Sequence, residues 1–201
     1  MGKELKVRRK RRVGLLGGSF NPAHEGHLHI SKAAFRRLGL DEVWWLVSPQ
    51  NPLKSIKGMA NLQERMESAE KMASHPRIIV TDIETRLQTR YTADTLMALQ
   101  QNFLDCQFVW LMGADNLRQI SQWKKWQHIF NTVPIAVFGR SGYDLGALSG
   151  KAAQRFKRCR VPEHGARSLT NRETPSWTFL AIRRHPESAT RIRNATKKKR
   201  L

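Results

Sequence analysis

Val13-Gly14-Leu15-Leu16-Gly17-Gly18-Ser19-Phe20-Asn21-Pro22-Ala23-His24-Glu25-Gly26-His27-Leu28-His29-Ile30 is the stretch on which the fold turns. A short apolar run, Val13 to Leu16, breaks into Gly17-Gly18, passes through a polar turn, and meets His24-x-Gly26-His27 at the start of a helical pattern. An apolar run ending in glycines predicts a buried strand whose backbone must come close to something. The helix behind it aims its unsatisfied N–H groups at the same place, a natural seat for phosphate. His24 and His27, three residues apart, share one face of the first helical turn. Each part alone has a plain structural explanation: a Gly-Gly turn can simply join strand to helix, and a surface His pair can simply be solvated. Together they make the convergence on one anion site specific.

The same rhythm continues outward. Helical spacing over Leu28 to Leu38 stops at Gly39, a C-cap signal. Val43 to Val47 predicts a second strand, running into Ser48-Pro49-Gln50-Asn51-Pro52-Leu53-Lys54. Further helices are predicted over Leu62 to Ala73, Ala93 to Gln101, Trp123 to Phe130 and Leu145 to Phe156, with a short one at Ser188 to Ala195. Strands are predicted at Ile78 to Val80, Phe108 to Met112 and Val133 to Phe138, with a late one over Trp177 to Ile182, while residues 157–176 show no clear period. Strands alternating with helices predict an α/β fold, a Rossmann-like doubly wound parallel sheet of about five to six strands with helices on both faces. Ligands on such sheets lie at the carboxyl ends of the strands. The segments Gly17 to His27, Pro49 to Lys54, Thr85 to Thr95 and Gly113 to Trp123 should therefore line one cleft.

Composition bounds the rest. The chain has 201 residues, 40% of them hydrophobic, enough for one α/β domain and too few for two. No apolar run approaches the ~20 residues of a membrane span, and the charged start lacks the apolar core of a secretory signal. Cys106 and Cys159 form no metal-type pair, so reduced thiols in the cytoplasm are expected. The net charge of +20 is concentrated in residues 1–12, 151–172 and 183–201, which carry +6, +6 and +7 and leave the remainder near neutral. Basic ends of this kind are read as solvated tails, with weak attraction to RNA or polyanionic substrates as the alternative. The expected organisation is a basic N-terminal tail over 1–12, a single domain over 13–195 and a basic C-terminal tail over 196–201.

Four further features fall in the cleft segments. Lys54 on a proline-stiffened loop offers one cation to a phosphate, or is solvated. Asp115 in Gly113-Ala114-Asp115-Asn116 accepts from a ribose hydroxyl or caps the next helix. Trp126 fits core spacing with Ile129 and Phe130, whereas Trp123, read at the helix start, offers a stacking face to a flat cationic ring. Ser188-Ala189-Thr190-Arg191-Ile192-Arg193 places hydroxyls and arginines at a late helix start, suited to a polyphosphate.

The first stretch resembles the GG-[ST]-F-[DN]-P-x-H-x-G-H signature of the HxGH nucleotidyltransferase superfamily, through Gly17, Gly18, Ser19, Phe20, Asn21, Pro22, His24, Gly26 and His27. Asn21 stands where Asp is commoner, which keeps the turn chemistry. Within that superfamily, Gly113-x-Asp115-Asn116 with Trp123 downstream, Tyr91-Thr92-Ala93-Asp94-Thr95, and the Ser-x-Thr-x-Ile-Arg finish look like bacterial nicotinate-nucleotide adenylyltransferases. The usual closing ISSTxIR keeps Ser188, Thr190, Ile192 and Arg193 here but has Ala189, and Leu53 replaces the His of the usual P-H-K. The resemblance covers about residues 12–195.

It implies adenylyl transfer from ATP to nicotinate mononucleotide, giving deamido-NAD and pyrophosphate. On that resemblance His24, His27, Lys54 and Arg193 are the catalytic set. Gly17, Gly18, Ser19, Phe20, Gly26, Gly113, Asp115, Ser188 and Thr190 would bind ATP, and Asn21, Thr92, Trp123 and Lys124 the acceptor. Mg²⁺ would arrive with ATP, held by substrate and water, with no protein metal ligands. ATP and nicotinate mononucleotide are the expected partners, with no membrane, no nucleic acid despite the basic ends, and a homo-oligomer possible. The phosphopantetheine branch is set apart by its T-x-G-H, and the cytidylyltransferases, which share HxGH, by their lack of this aromatic acceptor loop. A nucleic-acid binder on the same fold would have no reason to keep both the first and last motifs.

Overall fold

Each apolar run identified above becomes a parallel strand. The structure, a computed structural model, describes residues 9–49, 59–139, 144–183, 187, 189 and 191–193. In chain order the strands are β1 (Arg11–Gly18), β2 (Glu42–Val47), β3 (Ile78–Thr81), β4 (Cys106–Gly113), β5 (Ile135–Gly139), β6 (Arg160–Val161) and β7 (Trp177–Ala181). The helices are α1 (Glu25–Leu38), α2 (Leu62–Met72), α3 (Ile83–Arg86), α4 (Thr92–Asn102), α5 (Ala114–Gln119), α6 (Trp126–Thr132), α7 (Leu145–Leu148) and α8 (Lys151–Arg155). Among the described residues the sheet has seven strands in the order β3-β2-β1-β4-β5-β7-β6, every pair parallel. The chain winds outward from β1 to β3, then returns to the other side of β1 as β4. The switch point therefore lies between β1 and β4, and the carboxyl ends of both strands open onto it.

Strand alternation divides the core into two layers. Val13, Leu15, Trp44, Leu46, Phe108, Trp110 and Met112 face one apolar cluster, closed by α4, α5, α6 and α8. Leu16, Val43, Trp45, Val47, Val109 and Leu111 face the other, closed mainly by α1 and the 3-10 helix Glu163–Asn171. Helix α1 buries Leu28, Ser31, Ala34, Phe35 and Leu38, one stripe at helical spacing. It stops where expected: Gly39 takes φ 64° and its N–H donates to the Phe35 carbonyl, a left-handed cap that glycine adopts without strain. The buried Trp45 indole donates to Ser31 Oγ at 2.8 Å, and Ser31 Oγ donates to the His27 carbonyl at 2.9 Å, locking α1 to β2.

Four expectations are corrected. The strand count rises to seven because the two-residue β6 falls in the stretch without a period. Nine residues of that stretch form the 3-10 helix Glu163–Asn171, which buries only Ala166, Leu169 and Thr170 among charged and polar residues. The helix expected over Leu145 to Phe156 divides into α7 and α8, with Gly150 as the N-cap of the second. Trp123 is not at a helix start: it follows the 3-10 turn Ile120–Gln122, and α6 begins only at Trp126, after Lys125 takes φ 53°. Finally, the end of the basic N-terminal run is not a solvated tail. Arg9 pairs with Asp41, Arg11 with Glu42 and Asp105, and Arg12 with Asp41, because β1 already begins at Arg11 beside those carboxylates. Burial works to raise the Asp41 carboxyl, but the hydrogen bonds from Arg9 and Arg12 outweigh it and hold it well below the usual carboxylate range.

Candidate active site

The turn after β1 is built from contacts on every side. Gly17 is glycine because a Cβ there would collide with the Trp110 ring, which lies against it from β4. The Gly18 carbonyl accepts from the Ser48 N–H at 2.9 Å, joining the ends of β1 and β2. Phe20 takes φ 46°. Its buried ring is stacked on Trp45 at 5.2 Å and lies 4.5 Å from the His27 ring. Asn21 Oδ1 accepts from the Ala60 N–H at 3.4 Å, and its carbonyl accepts from Arg193 Nη1 at 2.5 Å.

The two histidines do converge, and they do so as the cap of α1. His24 is the N-cap; its Nδ1 accepts from the Gly26 N–H at 3.1 Å, while His27 Nδ1 accepts from the His24 N–H at 3.2 Å. The ring centroids are 3.9 Å apart. This is a capping box in which imidazoles do the work of hydroxyl and carboxylate. A ring nitrogen that accepts carries no hydrogen, so the proton of each neutral imidazole sits on Nε2, and each ring presents Nε2–H as a donor. The expectation of unsatisfied N–H groups at this helix start is revised. The His27 N–H donates to the His24 carbonyl, and the Glu25 N–H to the Glu187 carboxylate at 3.1 Å. A carboxylate one residue before the closing Ser188-to-Arg193 motif thus occupies the position assigned to phosphate.

The turn after β2 meets this one through a residue that the sequence reading did not single out. Arg65 of α2, only 2% exposed, donates to the Ser19, Ser48, Pro49 and Ala60 carbonyls. Burial lowers its pKa from the ordinary guanidinium value, yet a guanidinium remains charged at any physiological pH. Glu84 is a second such residue. It lies buried in α3 after β3, beside Ser48 and Thr95; burial raises its carboxyl above the usual value, and its Oε2 has no hydrogen-bond partner.

Beyond the switch point lies a second group. Asp115 lies in the first turn of α5, whose N-cap is Gly113, so its charge sits at the start of that helix without taking the cap position. Its carboxylate leans back over Gly113, where a Cβ would collide with it. Thr92 opens α4, and Lys124 Nζ lies 4.2 Å over the Tyr91 ring just before it. Lys125 Nζ donates to Asp94 at 3.0 Å. Trp123 is partly buried against the core, and Trp126 packs edge-on against Phe130 and Phe156, as its spacing predicted. Lys54, Ser188 and Thr190 lie outside the described residues. Gly18, Ser19 and Gly26 sit in the turn and cap described above. Among the described residues no cluster of three or more His, Cys, Asp or Glu could hold a metal ion, and no helix is long and apolar enough to cross a membrane.

Comparison with known proteins places this geometry. A sequence model of the cytidylyltransferase-like family matches residues 15–195. A probable nicotinate-nucleotide adenylyltransferase of Parvibaculum lavamentivorans is 55% identical over 182 residues, covering 90% of this chain and 90% of that protein. One from Methylorubrum extorquens is 50% identical over 182 residues, covering 90% and 98%. Among solved structures, the nicotinic acid mononucleotide adenylyltransferase of Plasmodium falciparum complexed with NaAD superposes with a TM-score of 0.68 at 14% identity, over 92% of this chain and 83% of that one. At that identity the likeness is one of fold.

Proposed function

The chain belongs to the cytidylyltransferase-like family and, within it, to the nicotinate-nucleotide adenylyltransferases, and on that footing we propose how its own residues carry the reaction. It transfers the adenylyl group of ATP to nicotinate mononucleotide in NAD biosynthesis. The observation that carries the mechanism is the double imidazole cap at the carboxyl end of β1: two Nε2–H donors held by backbone at the switch point.

The acceptor's phosphate monoester is largely dianionic at neutral pH, its second pKa being about 6. It therefore needs neither a general base nor a protein nucleophile. One of its oxygens forms a bond to the ATP α-phosphorus while the bond to the β-phosphate oxygen breaks, and pyrophosphate leaves with that electron pair. Alignment and charge stabilisation are the protein's tasks. His24 and His27 donate to the triphosphate from Nε2. Backbone N–H groups around Gly18, Ser19 and Phe20 hold phosphate oxygens, with Gly17 leaving room for the Trp110 ring and Gly26 for the His24 ring that shape the turn. Lys54 and Arg193 add positive charge, and Ser188 and Thr190 add hydroxyl donors. Asp115 beside Gly113 accepts from the nucleotide. Trp123 stacks on the pyridine ring, with Thr92, Lys124 and Asn21 around the acceptor. ATP enters as its divalent-metal complex, Mg²⁺ in this proposal, and the ion comes with the substrate. Reduced cysteines fit a cytoplasmic setting; Cys106 is buried, and that burial pushes its thiol up to about 11.

The test is pyrophosphate release from Mg-ATP with nicotinate mononucleotide, nicotinamide mononucleotide and 4′-phosphopantetheine in parallel. Strong preference for the nicotinate acceptor is expected. Release with none of the three would remove the assigned reaction.

A further inference from the structure

We propose that Arg65 is a positioning residue for the phosphate end of the cleft, fixing the turn after β1 against the turn after β2 and placing an unneutralised positive charge beneath both. The assignment rests on the phosphate site proposed above. Its grounds are geometric. Arg65 Nε donates to the Ala60 carbonyl at 3.0 Å, Nη1 to Ser19 at 2.8 Å and Ser48 at 2.6 Å, and Nη2 to Pro49 at 2.9 Å. One guanidinium thus holds three chain segments, and every partner is a neutral carbonyl. Taking a charge out of water is costly, and a buried cation is normally paired with a carboxylate. Here the carbonyl dipoles solvate the guanidinium but cancel none of its net charge.

The Ser19 bond has a directional consequence. In a trans peptide the C=O and N–H point to opposite sides. Drawing the Ser19 carbonyl toward Arg65 turns the Phe20 N–H away from it. The same peptide leads into Phe20 at φ 46°, a region that a non-glycine residue resists. Arg65 holds this peptide from one side and the buried Phe20 ring, stacked on Trp45, from the other. The Ser48 and Pro49 bonds, with the Ser48 N–H on the Gly18 carbonyl, hold the second turn to the first. Pro49 leads directly toward Lys54 in sequence. Lysine could keep the charge, but a point ammonium cannot span these carbonyls as a planar fork does.

The experiment compares wild type, R65K and R65Q by calorimetric titration with Mg-pyrophosphate, by steady-state kinetics with each substrate varied, and by thermal melting. R65K is expected to remain folded and to lose tenfold or more in pyrophosphate affinity. Its kcat should fall about 100-fold, the scale expected when reacting groups are displaced by about 1 Å. KM for nicotinate mononucleotide should change less than threefold, and R65Q should be worse in every phosphate readout. A purely structural arginine would lower the melting temperature alone. R65K that binds pyrophosphate and turns over like wild type, per folded molecule, overturns the Arg65 assignment and leaves the site reading standing. Wild type that binds no pyrophosphate overturns the site reading and Arg65's role with it. Should R65K not fold, the wild-type protein answers by NMR: the protected guanidinium Nε–H resonance shifts on adding Mg-pyrophosphate, and an unmoved resonance overturns the proposal.

Discussion

The turn after β1 and the segment after β4 face each other across the switch point, and they are held in opposite ways. The first is pinned through its backbone: the Ser48 N–H on Gly18, Arg65 on Ser19, Arg193 on Asn21, and imidazoles on the His24 and Gly26 N–H groups. Beyond its own turns and the buried Leu117 and Ile120, the second is held by side-chain tips: Lys124 over Tyr91, and a half-exposed Lys125–Asp94 pair of the kind that contributes little. The difference follows from the tasks assigned to them. Phosphate oxygens must meet donors within a few tenths of an ångström for an in-line displacement, which requires fixed peptide planes. A flat ring is captured by stacking, which tolerates sliding, so side chains suffice.

Four substitutions break or sharpen that contrast. The largest effect is expected from H27A. It should lower kcat by about 10²–10³-fold, the scale for losing one preorganised donor. It should also cost about 0.5–2 kcal/mol of stability through the lost cap. Unchanged turnover would remove His27 from the machinery. Next comes W123A. Loss of one stacking surface, about 1–3 kcal/mol, predicts a roughly tenfold or larger rise in KM for nicotinate mononucleotide. KM for ATP should stay within twofold; equal rises for both substrates would show that the two sides of the cleft are not separable.

A smaller effect, in the opposite direction, is expected from E187Q. Its carboxylate sits on the Glu25 N–H at the positive end of α1, where a bound phosphate of the proposed site would meet its charge. Removing that charge should lower KM for ATP by about two- to threefold, since charges near helix ends are worth about 0.3–1 kcal/mol. A raised KM would mean that Glu187 supports the site. The smallest kinetic effect is expected from D41N, at the far end of the strands, which should alter neither KM. Its effect is on stability. The folded carboxyl is depressed by Arg9 and Arg12, so its contribution is present above the unfolded value, about pH 4, and is lost as pH falls below it. D41N should therefore melt a few degrees lower than wild type at pH 7, for a loss of about 1 kcal/mol. The gap should close below pH 4; a gap that persists there would locate the stabilisation elsewhere.

Much of this site was legible in the chain because its signals are local. A strand, a glycine turn and two histidines three apart lie within eighteen residues, and Trp126 announced its core role by spacing alone. What was missed depends on partners distant in sequence. Arg65 reads as one more charge on a surface helix until Ser19 and Ser48, far away along the chain, are brought under it. The basic residues Arg9 to Arg12 read as a tail because Asp41, Glu42 and Asp105 are invisible from there. Trp123 reads as a helix start because nothing local reveals that Lys125 adopts a left-handed conformation.

The sequence by itself determined the parallel α/β architecture and the strand, turn and helix of its first motif, since hydrophobic period, capping and turn chemistry act over a few residues. The tertiary structure alone decided which carboxylate sits at the start of α1 and which buried cation joins the two turns. Those depend on hydrogen bonds between segments tens of residues apart, and only the closed sheet sets their distances.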